Sequence, residues 1–317
     1  MKKPWRITID TNPDQCNLNC IMCDTHSIYN KKPLEHRKAM KKKLLIKSID
    51  QALSIGIKEI IPSTMGEPLM YQFFDIFLDK TINSKTKLNL TTNGTFPIYG
   101  VEKWAKKLLP VLSDIKISIN SLKDDVNKRI MINDNTFDKI ENIKKFVQLR
   151  DLYYPEVSIT LQVTFLESNL SELEEIILFA IKYKINRVKG HQLWVTFDEI
   201  KNESLQKNKN SIIKWNDFID TIEKYRNKIE LSNFKKIKFK DEISEIKNDC
   251  PFLGEELWID QEGTFNICCA PSNKRVSLGE WGNIQTKSIE SIFNSLEYQN
   301  ILQTYKQQDI CKECSLR

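Results

Sequence analysis

Three thiols fall within "CNLNCIMC", at Cys16, Cys20 and Cys23, directly after the apolar stretch "WRITID". A set this dense can pack in a core, form disulfides or hold metal. Asn17, Asn19 and Asp24 make the segment too polar for a core, and the chain carries no sign of secretion that would favour disulfides. Two metal chemistries remain open. A zinc ion takes four ligands, and the nearest fourth candidate is His26. A 4Fe–4S cluster held by three protein sulfurs leaves one iron open to a substrate or cofactor, and three cysteines on one tight loop suit that arrangement. The other five cysteines, Cys250, Cys268, Cys269, Cys311 and Cys314, all lie close to the C-terminal end, where Cys311 and Cys314 form a CxxC that suits one edge of a zinc or iron site.

The elements that must position these groups follow from periodicity. β-branched runs at 5–10, 59–64, 87–93, 114–120, 157–165 and 187–195 predict strands. Amphipathic stretches at 38–55, 70–83, 101–109, 122–149 (interrupted near Asn133–Asn135) and 171–183 predict the helices between them, the last with Ser168 or Ser171 as N-cap. Six strand–helix alternations predict an α/β fold, a partial (β/α)6 TIM-like barrel. In such a fold chemistry sits beyond the carboxyl ends of the strands. The cysteine loop, "MGEP" (65–68), "TNG" (92–94) and Ser118–Asn120 all fall there, and Lys189 and His191 alternate onto one face of the sixth strand. Glu167 and Asn169, past the fifth strand, are further polar lining candidates. From 203 to 247 the chain reads as charged and helical. Residues 257–269 read as a β-hairpin turning at Glu262–Gly263, and 288–305 as a helix.

Bulk properties narrow the setting. The 317 residues can bury a full core, and 40% hydrophobic with 28% charged residues is a globular composition. No apolar run reaches membrane-span length, and "MKKPWRITID" lacks a signal core, so a cytoplasmic location with no membrane partner is expected. A net charge of +6 and lysine clusters such as "KKK" (41–43) and "KKIKFK" (235–240) accompany an Asn-, Ile- and Lys-rich composition throughout, so no nucleic-acid partner is expected.

Taken together, CxxxCxxC after the first strand, "STMGEP", "TTNG" and "ISINSLKDDVNKRI" resemble the radical S-adenosylmethionine (SAM) enzymes. That resemblance implies a 4Fe–4S cluster on Cys16, Cys20 and Cys23, with SAM on its open iron, cleaved to a 5′-deoxyadenosyl radical that abstracts hydrogen from substrate. It further implies that Gly66 and Glu67 meet the SAM ammonium, that Pro68 stiffens their turn, that Asn93 and Ser118 contact the ribose, and that Arg129 binds the carboxylate. Met22 stands where the family often has an aromatic residue near adenine, and its sulfur can pack on a ring.

The spacing of the later cysteines, with "LG…GNI…SI" between them, resembles the auxiliary Twitch/SPASM domain of many such enzymes. The resemblance implies a second, fully ligated 4Fe–4S cluster on Cys250, Cys268, Cys311 and Cys314, in a small C-terminal hairpin-plus-helix domain; a zinc ribbon is the structural alternative. The implied organisation is a core over 1–202, a helical bridge over 203–247 and a cluster domain over 248–317. Cys269 is either a small buried neighbour or a hydrogen-atom donor, and His191 and Lys189 are candidates for proton handling beside substrate. A reducing donor such as flavodoxin or ferredoxin is implied.

Three functions compete. The first is radical dehydrogenation of a small polar or sugar-like substrate with electron transfer to the auxiliary cluster, as in a radical SAM dehydrogenase of amino-sugar antibiotics that "MGEPL" resembles. The second is maturation of a ribosomal peptide by epimerisation or crosslinking. A leader-binding module often precedes the core in such maturases, and with the first strand expected from residue 5 none is expected here, which favours the first function over the second. The third is a cluster- or zinc-holding carrier with no SAM pocket.

Overall fold

The structure, a computed structural model, describes residues 4–31, 37–63, 65–239, 250–266, 282–308 and 311. In chain order the elements are β1 (Arg6–Ile9), α1 (Lys42–Ser54), β2 (Glu59–Pro62), α2 (Asp75–Thr81), β3 (Lys87–Thr92), α3 (Gly100–Leu108) and β4 (Leu112–Ser118). There follow α4 (Asp124–Ile130), α5 (Thr136–Tyr153), β5 (Ser158–Phe165), α6 (Leu173–Lys182), β6 (Arg187–Gln192), α7 (Lys209–Ile222) and β7 (Glu230–Ser232). The last are β8 (Glu256–Ile259), β9 (Phe265–Asn266), α8 (Ile289–Phe293) and α9 (Leu296–Thr304). The fold is α/β with a mostly parallel open sheet, of the partial-barrel class.

The chain divides into two compact units. One comprises residues 1–15, 34–89 and 244–317, and its strands run in the order β3-β2-β1-β8-β9. Here β8 lies parallel to β1, with Arg6 opposite Glu256 and Thr8 opposite Trp258. The second unit comprises residues 16–33 and 90–243, with strand order β4-β5-β6-β7, all parallel. Alternation decides the faces. Ile115, Ile117, Ile159, Leu161, Val163 and Val188 point to one side and are buried, while Lys116, Ser118, Thr160, Gln162, Lys189 and His191 point to the other. Gly190 sits on the apolar side because a Cβ there would stand 1.7 Å from the ring of Phe165, which packs with Trp215 and Phe234.

Several expectations need correction. Neither Ser168 nor Ser171 caps α6. A 3₁₀ segment, Glu167–Glu172, precedes it, and Asn169 turns inward so that its Oδ1 accepts from Leu166 N at 3.0 Å. The bridge is not wholly helical, since Glu230–Ser232 extends the sheet as β7, too short to register as a periodic pattern. The terminal helix breaks where Ser295 caps a new start, its hydroxyl accepting from Tyr298 N at 3.2 Å. The hairpin forms at its predicted turn, with Asp260 Oδ1 accepting from Glu262 N and Thr264 N.

Candidate active site

The cysteine loop follows β1 and belongs to the second unit. Its backbone is sewn to the end of α4 and the connector after it, where Ile21 N donates to Ile130 O at 2.9 Å and Asn19 N to Ile132 O at 3.0 Å. Leu18 and Ile21 are buried with Val126, Ile130, Met131 and Leu166, and Cys16, Cys20 and Met22 pack on that cluster. Alternation along the loop therefore gives anchors (Leu18, Ile21) between half-buried thiols. N–H groups converge on the sulfurs. Leu18 N lies 3.5 Å from Cys16 Sγ, His26 N 3.3 Å from Cys23 Sγ, and Asn93 Nδ2 3.9 Å from Cys16 Sγ.

Burial, and then the neighbouring Cys23, push the Cys20 thiol above the range of ordinary thiols; burial pushes Cys23 up to about 11, opposed by the His26 N–H. Burial thus favours the neutral thiols, and a bound iron centre would supply the positive charge that stabilises the thiolates. Among the described residues no three His, Cys, Asp or Glu side chains converge closely enough for a single ion. A cluster is gripped at separate corners, so its ligand sulfurs need not meet at one point. The donor set fits a cluster. Asn19 Nδ2, bonded to His26 O at 2.9 Å, holds the backbone beyond the third cysteine.

The predicted SAM contacts divide between the units. In the second, Asn93 meets the cysteine loop itself, its Nδ2 donating to Asn17 Oδ1 at 2.8 Å while its Oδ1 accepts from Thr95. Ser118 ends β4 on the polar face, opposite Gln162, which is itself opposite Lys189. Thr164 pairs with His191 one step on. Lys116, on the same face, is buried and lies 3.6 Å from Asp114. Burial, aided by the charges of Lys189 and Lys116, pulls the His191 pKa down to about 4, so its ring is neutral at pH 7. Arg129 stands apart, its side chain 66% exposed on α4 and 3.7 Å from Asp125.

In the first unit, Gly66 adopts φ +71°, and a Cβ there would stand 2.3 Å from Asn12 O and 2.6 Å from Gln15 O. Glu67 N donates to Gln15 O at 2.7 Å, and Glu67 O accepts from Asn12 Nδ2 at 2.8 Å. The buried Glu67 carboxylate accepts from Leu69 N at 3.2 Å, capping the 3₁₀ turn that Pro68 opens. "GEP" therefore braces the segment leading into Cys16, a positioning role that the motif alone did not reveal.

Of the auxiliary cysteines, Cys250 and Cys311 are described and half-buried; Cys268, Cys269 and Cys314 lie outside the described residues. Leu253 N donates to Cys250 Sγ at 3.4 Å, and Cys250 N to Tyr305 Oη at 3.0 Å. Among the further lining candidates, Asn169 is an internal brace, its Nδ2 donating to Asn120 O and Thr164 O. Glu167 is occupied by Ser211, Lys207 and Lys214.

Residues 13–180 match the family model of the Radical SAM superfamily, and residues 250–315 match the SPASM model, an iron–sulfur cluster-binding domain. The chain belongs to the radical SAM superfamily. As a radical SAM protein with a SPASM domain, it takes two 4Fe–4S clusters and SAM. Its fold is shared with SuiB of Streptococcus suis bound to precursor peptide SuiA, at TM-score 0.68 and 18% identity over 95% of this chain and 67% of that one. It is shared with anSMEcpe bound to AdoMet at TM-score 0.70 and 16% identity, over 98% of this chain and 87% of that one. BtrN in complex with AdoMet and 2-DOIA aligns at TM-score 0.54 and 15% identity, over 99% and 94%. No curated protein matches the chain. No helix among the described residues is long and apolar enough to cross a membrane.

Proposed function

We propose that this radical SAM enzyme oxidises a small polar or sugar-like substrate at a carbon bearing a hydroxyl or amino group. Cys16, Cys20 and Cys23 would hold the SAM-binding cluster, and Cys250, Cys268, Cys311 and Cys314 the auxiliary one. Gly66, Glu67, Pro68, Asn93, Ser118, Arg129 and Met22 would seat SAM. Bound there, the clusters and SAM supply the radical that takes the hydrogen atom and an acceptor for the electron left behind. The observation that carries this reading is the polar end of the β4–β6 face, where Ser118, Gln162, Thr164, Lys189 and His191 stand side by side in register. Such a surface hydrogen-bonds hydroxyls and amines, and a neutral imidazole can accept the proton an oxidised carbinol or amine must lose. Loss of one hydrogen atom, one proton and one electron makes a two-electron oxidation. Lys189 would orient the reacting group.

A second reading, peptide modification, is supported by the fold shared with peptide-bound SuiB and with anSMEcpe. Cys269 would then be a candidate hydrogen-atom donor. Anaerobic assay with dithionite and SAM tests the common core: 5′-deoxyadenosine should form, and Cys20→Ala should abolish it while iron content falls by about half. Wild-type protein that makes no 5′-deoxyadenosine would leave a cluster carrier instead. Between the two enzyme readings, a two-electron-oxidised small molecule supports the first and an isomerised or crosslinked peptide the second. A flavodoxin or ferredoxin would serve as reductant in the cell.

A further inference from the structure

The loop after β3 holds an exposed apolar side chain beside a group of lysines, next to the point where the cysteine loop reaches the surface. Asn17, the residue after the first cysteine, is exposed, and its Nδ2 donates to Thr95 Oγ1 at 3.0 Å. Thr95 Oγ1 donates to Asn93 Oδ1 at 2.7 Å, and Asn93 Nδ2 lies 3.9 Å from Cys16 Sγ. One side chain, Asn93, therefore spans from Thr95 to the first thiol.

The backbone beyond Thr95 is strained. Phe96 has φ +48° and Ile98 φ +70°, in the left-handed region that a β-branched residue enters only where its surroundings impose it. Here they do. Phe96 is buried and stacked on Phe146 of α5 with ring centroids 5.5 Å apart, Trp104 Nε1 donates to Pro97 O at 2.6 Å, and Gly100 N donates to Phe96 O at 3.1 Å. Fixed between these anchors, Ile98 is turned outward and is 70% exposed. Strain that holds an isoleucine in solvent points to a contact outside the chain.

Charge indicates what makes that contact. Tyr99 packs on Trp104 with ring centroids 5.0 Å apart, and Lys103 Nζ and Lys107 Nζ sit 4.3 and 5.3 Å from the Tyr99 centroid. With the exposed Lys106, α3 carries three lysines against one acid, Glu102, which Lys145 of α5 meets at 2.9 Å. On α5, Glu141 meets Lys144 at 2.7 Å, and Asp138 stands in the first turn. An apolar point rimmed by cations complements an acidic surface.

We propose that the surface of Ile98, Lys103, Lys106 and Lys107 docks an acidic, low-potential one-electron carrier protein. The proposal rests on Cys16, Cys20 and Cys23 holding the SAM-binding cluster. One electron leaves the carrier, which is oxidised, and enters the oxidised cluster, which is reduced; no covalent bond forms or breaks. Transfer slows steeply with distance, and Asn93 keeps the span from this surface to Cys16 short.

The test is anaerobic calorimetric titration of an acidic flavodoxin into reconstituted holoenzyme, both oxidised. Ile98→Asp and the double variant Lys103→Glu/Lys106→Glu should each raise Kd about tenfold, and added salt should weaken wild-type binding. Lys228→Glu/Lys235→Glu makes the same charge change at exposed lysines flanking β7 and should shift Kd less than about twofold. Reduction of the cluster by flavodoxin hydroquinone, followed by freeze-quench EPR, should slow about tenfold in the first two variants. Dithionite needs no docking, so 5′-deoxyadenosine formed with it should stay within about twofold of wild type. The proposal is overturned by Kd shifts under about twofold in those variants, by equal shifts in the control pair, or by no measurable wild-type binding. It is also overturned by a dithionite assay that falls as far as the flavodoxin one, or by a wild-type dimer that Ile98→Asp dissociates, since a second copy would then own the surface. Iron content unchanged in Cys20→Ala would instead remove the ligand reading, and the proposal with it.

Discussion

The two units each turn a polar strand face away from their helices, yet the two faces are finished differently. In the first unit the charges consume one another. Arg6 lies 3.1 Å from Glu59 and 3.4 Å from Glu256, Thr8 Oγ1 donates to Glu256, Asn89 Nδ2 to Glu59, and Trp258 Nε1 to the buried Asp10 carboxylate. In the second unit the amino-terminal end closes in this way, with Thr160, Arg187 and Lys116 gathered about Asp114. Toward the carboxyl ends the face carries Ser118, Gln162, Lys189 and His191, where burial, aided by the lysine charges, keeps the imidazole neutral. One alternating pattern thus yields a face of interlocked ion pairs in one unit and, at the carboxyl end of the other, a row of polar groups in register.

The largest effect should come from the polar row. His191→Gln should lower substrate turnover about 100-fold while 5′-deoxyadenosine formation in the absence of substrate persists, because only the proton-accepting group is removed. The same residue writes a pH signature. Its folded pKa lies below the ordinary 6.5, so the unfolded chain binds the proton first as pH falls. Stability is intact above pH 6.5 and declines toward pH 4. Between pH 7 and pH 5 wild type should lose about 2 kcal/mol, by urea titration, that His191→Gln keeps.

The ion-paired face predicts the converse. Arg6→Met leaves Glu59 and Glu256, on the strands either side of β1, without the cation between them and should cost about 2 kcal/mol in urea unfolding. Turnover of the folded fraction should be unchanged. A turnover loss larger than the stability loss would mean that this face, too, takes part in the chemistry.

The legible and illegible parts separate along the same physical line. Strands β1 to β6 were readable because β-branched runs alternate with long amphipathic helices, and the cysteine loop because thiols at that spacing between polar residues have few uses. The direction of each strand face followed from the two-residue period, which placed Lys189 and His191 together. What stayed hidden depends on contacts between distant residues. The parallel docking of β8 on β1 carries no local signal, since "ELWI" reads equally well as one arm of a hairpin. Lys139 looks like any helical lysine until its burial against Asp134 is seen. The inward turn of Asn169 and the capping by Glu67 were likewise invisible, because both residue types serve equally well as pocket lining.

Arg129 provides the smallest and sharpest test of the division. Its motif context nominates it for the SAM carboxylate, yet its side chain is 66% exposed and its ion-pair partner Asp125, at 3.7 Å, is 72% exposed. An exposed pair at that distance contributes little to stability, so Arg129→Ala should shift urea unfolding by less than about 0.5 kcal/mol. If the side chain swings onto SAM, the holoenzyme's affinity for SAM should fall about tenfold in Arg129→Ala, about 1.4 kcal/mol, with Arg129→Lys recovering part of it as a single-point charge. Equilibrium dialysis with labelled SAM measures this directly. An unchanged affinity would reassign the residue to solvent and leave the carboxylate to a group the motif did not nominate, and Lys116 and Lys189, the lysines of the polar face, would then be the first to replace.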